Sequence, residues 1–494
     1  MSKIIDEIPL IAFDLHHKSD VPLYKQLYNL YRDAILEGKI KQGKRLPGTR
    51  SLANDLKISR NTVAIAFDQL KIEGYISGKT GSGYYVNEIP DKRPIIPVKS
   101  LSKLSTLKKV RLQKKIPLKF RQSCISAERI FPFQNGVPAL NEFPIRIWSK
   151  LFNQISFNFS NLHLGYSDAA GFRPLREIIA SYLQTYRAVN CSADQILIIN
   201  GSQQGLDIIT RILLKKGSNI WMEDPGYSGV KASMIAAEVK LLPCPLDEEG
   251  IDMKYSKKHN AKPDLIYTTP SHQFPTGVIM PISRRLELLK FAAENKCWII
   301  EDDYDSEFRY IGNPLPSLQG MDENKSVFYL GTFSKVLIPG LRLGYLVLPD
   351  ISMMESFKSL KYIMDRQSPV FEQMILTRYI EEGHFTKHIR RMRMLYKSRQ
   401  EFIVNEINKN FNGLLTADFL PSGMHIIAKL SPKLNDRKVA AEALKHNVIV
   451  HPISDYCMKF KQAPALIMGY TAFTENEIRE GLIKLKKVLT SFKN

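Results

Sequence analysis

The stretch Cys297-Trp298-Ile299-Ile300-Glu301-Asp302-Asp303-Tyr304 decides how this chain is read. It continues through Val327-Phe328-Tyr329-Leu330-Gly331-Thr332-Phe333-Ser334-Lys335 and closes with Arg342-Leu343-Gly344-Tyr345-Leu346-Val347. Each apolar run is short, rich in β-branched and aromatic residues, and too brief for a helix. Such runs suit buried strands of a parallel sheet. Chemically useful side chains sit just past the carboxyl ends of two of them, the edge at which open α/β sheets place ligands.

The set is a carboxylate (Asp302), an amine (Lys335) and a guanidinium (Arg342) at three neighbouring strand ends. It suits pyridoxal phosphate. The lysine would form the Schiff base, the carboxylate would keep the pyridine nitrogen protonated, and the arginine would pair bidentately with the phosphate.

Upstream, the same alternation of helix and strand begins at about Phe131. Gly171-Phe172-Arg173-Pro174 leads a helix, and Ile196 to Asn200 is a strand followed at once by Gly201-Ser202-Gln203-Gln204-Gly205 and a second helix. A small-residue turn at a helix amino end offers free amides and a favourable dipole to an anion. Strand Ile220 to Glu223 gives Asp224-Pro225-Gly226-Tyr227, whose ring could stack on a flat heterocycle. Strand Leu265 to Thr268 leads to Pro270-Ser271-His272-Gln273-Phe274-Pro275-Thr276-Gly277, where His272 is expected to be a hydrogen-bonded structural residue rather than a catalytic one.

At 494 residues the chain needs more than one domain, and 44% hydrophobic residues supply a large core. The net charge of +21 favours a polyanionic partner. No N-terminal apolar segment resembles a signal peptide and no run approaches a membrane span, so no membrane partner is expected. The five cysteines are scattered, without CxxC or Cys/His spacing; free thiols, a reducing cytoplasm and no metal are expected.

The first ninety residues have a different character. Leu23, Leu27, Leu30 and Ala34 fall at helical spacing, predicting a helix from about Pro22 to Leu36. A short helix is expected around Ser51 to Leu56. A third follows the N-cap Ser59 and carries Val63, Phe67 and Leu70 on one face. Tyr75-Ile76-Ser77 and Tyr84-Tyr85-Val86 read as a hairpin across a glycine-rich turn, completing a winged helix-turn-helix plan. Arg60, Asn61 and Thr62, beside Ser59, stand where recognition helices meet bases and phosphates. Lys79 adds charge to the wing, and Arg50 could neutralise a phosphate.

Between Asp91 and Arg121 there are 11 Lys or Arg against one Asp, whereas residues 1 to 90 hold 13 basic and 10 acidic groups. About half of the charge excess therefore lies in a proline-containing connection, expected to be a solvated linker that adds non-specific phosphate attraction.

Leu46-Pro47-Gly48-Thr49-Arg50-Ser51-Leu52-Ala53, Ser59-Arg60-Asn61-Thr62-Val63, and Glu73-Gly74-Tyr75 followed by Gly81-Ser82-Gly83 resemble a GntR-type DNA-binding domain. The resemblance assigns operator contacts to Arg50, Arg60, Asn61 and Thr62, and the wing tip to Gly81 and Gly83. Farther on, Gly201-Ser202-Gln203-Gln204, Glu223 to Tyr227, His272 to Gly277, Glu301 to Asp305 and Thr332 to Lys335 occur in the order found in fold-type I aminotransferases. Head and body together resemble the MocR family of pyridoxal-phosphate-dependent transcription regulators. The implied organisation is a multidomain chain: an α+β winged helix-turn-helix over residues 1–88, a basic linker over 89–128, and an α/β aminotransferase-like domain with a mostly parallel sheet over 129–494.

The resemblance also assigns the site. Lys335 would carry the Schiff base, Asp302 would bridge to the pyridine nitrogen, and Tyr304 would hydrogen-bond the ring hydroxyl. Tyr227 would stack on the ring, while Ser202, Gln203, Thr332 and Arg342 would hold the phosphate. Tyr166 matches a tyrosine that reaches the neighbouring subunit's phosphate, which implies a homodimer.

Two departures separate this chain from working aminotransferases. Phe274 stands where they carry an asparagine, and phenylalanine cannot donate a hydrogen bond. Ile467, in Leu466-Ile467-Met468-Gly469-Tyr470, stands where they carry the arginine that clamps the substrate carboxylate. Without that clamp an α-amino acid loses its anchor. The expectation is a DNA-binding regulator that senses pyridoxal phosphate itself, as regulators of vitamin B6 synthesis do, or an amino acid or amine. The alternative is an active aminotransferase with a DNA-binding appendage; slow half-reactions are compatible with either.

Overall fold

In a computed structural model, residues 15–16, 19, 21–79, 82–88, 130–157, 159–160 and 165–492 are described. The chain divides into two compact units, Met1–Gln113 and Lys114–Asn494. The expected linker over 89–128, the wing glycine Gly81 and Cys124 lie outside the described residues.

In the first unit, helices α1 (Leu23–Leu36), α2 (Thr49–Asp55) and α3 (Arg60–Ile72) precede an antiparallel hairpin of β1 (Ile76–Lys79) and β2 (Gly83–Val86). The buried stripe of α1 is Leu27, Tyr31, Ala34 and Ile35 together with Tyr28, while Leu23 and Leu30 are only half-buried. This i, i+4, i+7, i+8 set is the one that turns Tyr31 onto Phe67 of α3, ring edge to face at 5.3 Å. On α3, Val63, Phe67 and Leu70 are fully buried, as their spacing predicts. Helix α2 begins at Thr49, two residues before the expected start, behind an extended Gly48.

In the second unit, a large sheet is built from β3 (Ile196–Ile199), β4 (Asn219–Asp224), β5 (Lys240–Asp247), β6 (Gly250–Ile251), β7 (Leu265–Thr268), β8 (Trp298–Asp303), β9 (Val327–Thr332) and β10 (Gly344–Val347). Its order is β3-β10-β9-β8-β7-β4-β5-β6. Strands β5, β4, β7, β8 and β9 run parallel, and Ile220 to Met222 of β4, Leu265 to Tyr267 of β7, Ile299 and Ile300 of β8 and Phe328 to Leu330 of β9 are buried. A second, antiparallel sheet joins β11 (Leu415–Ala417), β12 (His425–Leu430), β13 (His451–Pro452) and β14 (Ala465–Gly469) in the order β11-β12-β14-β13.

Two details correct the expectation for the deciding stretch. Its third run, β10, is antiparallel: Gly344 lies opposite both Ile199 and Thr332. Only the single turn Pro339–Leu341 separates it from the Lys335 segment, too little chain for the crossover that a parallel neighbour needs. Its first run does not end before the acidic residues, because β8 extends through Asp303. Glu301 accepts from the backbone N–H groups of Leu318 and Gln319, both at 3.0 Å, and Asp303 accepts from Arg187 Nε at 2.9 Å. These partners let carboxylates remain inside the strand.

Candidate functional site

The carboxyl ends of β3, β4, β7, β8 and β9 meet at one edge of the sheet, and the antiparallel β10 brings its amino end to the same place. Alternation along β8 turns Ile300 and Asp302 to one face and Ile299, Glu301 and Asp303 to the other. Asp302 is thus aimed at the ligand edge, while its acidic neighbours are tied to Arg285 and Arg187 behind it.

Tyr267 of β7 donates to Asp302 Oδ2 at 2.6 Å, and Asp302 Oδ1 is buried without a partner. Burial is the main force on this carboxyl and lifts it to about 7, with Asp303, Glu223 and Asp305 adding repulsion against the lowering bond from Tyr267. Lys335, three residues beyond β9, donates from Nζ to the Gly136 carbonyl at 2.8 Å. Burial depresses its ammonium, opposed by Asp305 and Asp302. A depressed lysine keeps more of the free amine that attacks an aldehyde. Gly136 has φ +74°, and a Cβ there would stand 2.6 Å from Lys335 Nζ. Only glycine lets the chain pass this close.

At the other end of the edge, helix Ser202–Leu213 starts from Gly201 at φ +109°. The exposed Arg342 donates to the Asn200 carbonyl at 2.6 Å, directly beside that turn. The register of β10 dictates this position, since Leu343 accepts from the Phe333 N–H at 3.0 Å. Thr332 Oγ1 accepts from the Ser334 N–H at 3.2 Å, and the Ser334 hydroxyl is buried without a partner. Arg342 beside the helix start, and the Thr332–Ser334 turn with its bare hydroxyl, offer donors of the kinds a phosphate takes. Gln203 adds its backbone at most, because its side chain is held by the Gly229 carbonyl and the Ser233 hydroxyl.

Between the two ends, Tyr227 keeps 37% of its surface exposed and meets Phe274 edge to face at 5.9 Å. Tyr304 lies with its hydroxyl 2.9 Å from His272 Nδ1 and donates to the His272 carbonyl at 3.1 Å. His272 Nδ1 is also 3.0 Å from Asp305 Oδ2, so this histidine is buried and hydrogen-bonded. Tyr166 is exposed beneath Arg366, 5.2 Å from guanidinium to ring centroid, and is not brought to the site of its own chain. Ile467 is fully buried in β14 opposite Ile427 and His451.

An unpaired carboxylate oxygen, a depressed lysine amine, a free hydroxyl and an arginine at a helix start fit pyridoxal phosphate. Three residues around the site escape sequence reasoning. Ser334 stands next to Lys335 without a signal that singles it out, Tyr267 is one aromatic in an apolar strand, and Gly136 has no sequence signal beyond being glycine. Four free cysteines are present among the described residues, where no cluster of metal-ligating side chains occurs. No described helix is long and apolar enough to cross a membrane.

In the first unit, Arg50, Arg60 and Asn61 are exposed and Thr62 is half-buried at the start of α3. Ser59 is the N-cap: its Oγ accepts from the Thr62 N–H at 3.1 Å. Lys79 lies 5.1 Å over the Tyr85 ring, and Gly83 has φ +99° at the wing. Arg45 lies against Gly83, where a Cβ would come within 3.2 Å of its Nε, so the wing base carries a cation that the sequence did not single out.

Residues 23–86 match the gntR family of bacterial regulatory proteins, and residues 136–480 match aminotransferase class I and II. The probable rhizopine catabolism regulatory protein MocR of Rhizobium meliloti is 33% identical over 485 residues, covering 97% of this chain and 96% of that protein. The pyridoxine biosynthesis transcriptional regulator PdxR of Corynebacterium glutamicum is 28% identical over 480 residues, covering 97% of this chain and 98% of its own. The crystal structure of Pyrococcus horikoshii kynurenine aminotransferase superposes with a TM-score of 0.70 at 27% identity, over 80% of this chain and 99% of that one. The chain belongs to the MocR family of HTH-type regulators, in which a GntR winged helix is fused to an aminotransferase fold.

Proposed function

We propose that this regulator binds pyridoxal phosphate covalently at Lys335 and that occupancy of the site sets its affinity for operator DNA. The unpartnered Oδ1 of Asp302 carries this proposal: a buried carboxylate oxygen left open at the ligand edge is matched by a protonated pyridine nitrogen. When bound, the cofactor supplies an aldehyde that condenses with primary amines and a ring that withdraws electrons. Asp302 would hold the ring proton, Ser202, Thr332, Ser334 and Arg342 would hold the phosphate, and Tyr227 would stack on the ring. The Tyr304 hydroxyl, fixed by His272, would hydrogen-bond the ring hydroxyl.

The residues favour a sensor over a catalyst. Phe274 offers no donor where an asparagine would tune the ring oxygen, and Ile467 offers no charge for a carboxylate. We place cofactor sensing first among the effector classes, in agreement with the PdxR relative, a regulator of pyridoxine biosynthesis; an amine or amino acid is second. The exposed Tyr166, with exposed Ile145, Phe152 and Phe157 on helix Ile145–Phe157, supports a homodimer in which Tyr166 serves the partner's phosphate. A cytoplasmic location follows from the DNA target. An effector can shift DNA binding only by favouring one arrangement of the protein over another.

A single-turnover absorbance assay with amines and amino acids, run beside operator binding, tests this. A persistent cofactor spectrum with changed operator affinity is expected. Rapid, complete conversion to the pyridoxamine form across amino acids would establish the aminotransferase alternative, for which the intact Lys335 and Asp302 speak.

A further inference from the structure

The turn between β3 and the helix Ser202–Leu213 is held from outside by one distant carboxylate. Asp365, the last residue of the helix Met354–Asp365, accepts from Asn200 Nδ2 and, at 2.7 Å, from Gln204 Nε2. Gln204 Oε1 in turn accepts from the Asn200 N–H at 2.8 Å, and the Asn200 carbonyl accepts from Arg342. Both ends of the turn are thus tied to a single acceptor, with Gly201 at φ +109° between them.

Lys361 stands one turn earlier on the same helix as Asp365. Its side chain has no exposed surface, and its Nζ lies 2.8 and 3.0 Å from the two carboxylate oxygens. A lysine is seldom taken fully out of water, and a buried ion pair adds little net stability. The helix does not need the pair to stay on the sheet, because the fully buried Phe357 already stacks on Phe328 of β9 at 5.6 Å. The effect of the pair is local. It gives the turn a carboxylate to hold on to and cancels the charge of that carboxylate beside a phosphate position. An uncompensated Asp365 would hold the turn and repel the ligand.

We propose that Asp365, neutralised by the buried Lys361, is a positioning residue for the cofactor phosphate. Through Gln204 and Asn200 it fixes the N–H groups at the helix start and the carbonyl that anchors Arg342. This inference rests on the cofactor reading above. The clamp acts on the phosphate end alone, so it favours the phosphorylated cofactor and leaves the aldehyde end at Lys335 untouched.

Visible absorbance titrations of the full-length chain with pyridoxal phosphate and with pyridoxal, which carries the same aldehyde without the phosphate, test it. Gln204→Met keeps the Lys361–Asp365 pair and removes the link to the turn. Its affinity for pyridoxal phosphate falls about tenfold, while that for pyridoxal stays within about twofold. Lys361→Met combined with Asp365→Leu leaves no buried charge behind and gives the same selective loss. The phosphorus NMR resonance of bound cofactor moves in both variants, whereas the visible band of the ring does not. An equal loss for both ligands reduces the clamp to a structural tie and overturns the proposal. So does an undiminished preference for pyridoxal phosphate in Gln204→Met, the variant that decides the matter if the paired replacement does not fold. A wild-type chain that binds neither ligand refutes the cofactor reading itself, and the role of Asp365 with it.

Discussion

Tyr267 gives its hydroxyl proton to one oxygen of Asp302 at 2.6 Å and leaves the other oxygen bare. The pair fixes the carboxylate plane and presents a single acceptor to the sheet edge. Asp302→Asn keeps the shape and removes the charge. A charge-assisted hydrogen bond contributes roughly 1.5–3 kcal/mol, so cofactor affinity should fall about 10–100-fold. Titration of the visible absorbance with pyridoxal phosphate measures it; an unchanged dissociation constant would remove Asp302 from the site.

The same carboxyl has a pH signature. Its folded value, about 7, lies above the ordinary 3.8, so the folded protein without cofactor takes up the proton more readily than the unfolded chain. The resulting destabilisation is absent below about pH 4, grows as pH rises, and is complete above about pH 7. A protonated pyridine nitrogen relieves it. The rise in melting temperature on adding cofactor should therefore increase from pH 5 to pH 8, and Asp302→Asn should flatten that dependence relative to wild type.

Lys335→Ala should abolish borohydride-stable labelling by the cofactor while leaving the winged helix able to bind DNA. Operator affinity would then no longer respond to added cofactor. Peptide mapping and fluorescence anisotropy read the two effects, and label found on another lysine with the response intact would refute the assignment.

Gly136→Ala places a methyl group 2.6 Å from Lys335 Nζ at a backbone with φ +74°. The amine must move or the loop must strain. The variant should lose cofactor affinity by more than tenfold, and it should be less stable than wild type by roughly 1 kcal/mol or more, seen as a lower melting temperature. Parallel absorbance titration and thermal melts measure both.

Ser59 and Arg60 are neighbours with different work. Ser59→Ala removes the α3 cap and should cost about 1 kcal/mol of stability in the winged unit. Arg60→Ala should leave stability unchanged and weaken operator binding by about 1–3 kcal/mol if it reads a base, or lower the salt slope by about 1 if it meets a phosphate. Neutralising several basic residues between 91 and 121 should likewise reduce the salt slope without changing operator preference.

The sequence alone determined the element types and the catalogue of reactive groups. Strand runs, helix caps and the apolar faces of α3 are local properties, set by side-chain period and by which residues can bond their own backbone. The order of the motifs was enough to name both units. Tertiary structure decided which groups are free. Asp302 and Asp303 are adjacent carboxylates of equal sequence standing, yet the pleat sends one to the cofactor edge and the other to Arg187. Ser334 and Gln203 both sit in phosphate-type motifs, but one hydroxyl is left bare while the other side chain is spent on Gly229 and Ser233. The antiparallel β10, and with it the place of Arg342, followed from the short connection and the sheet's hydrogen-bond register. Availability depends on partners distant in sequence, and only folding chooses those partners.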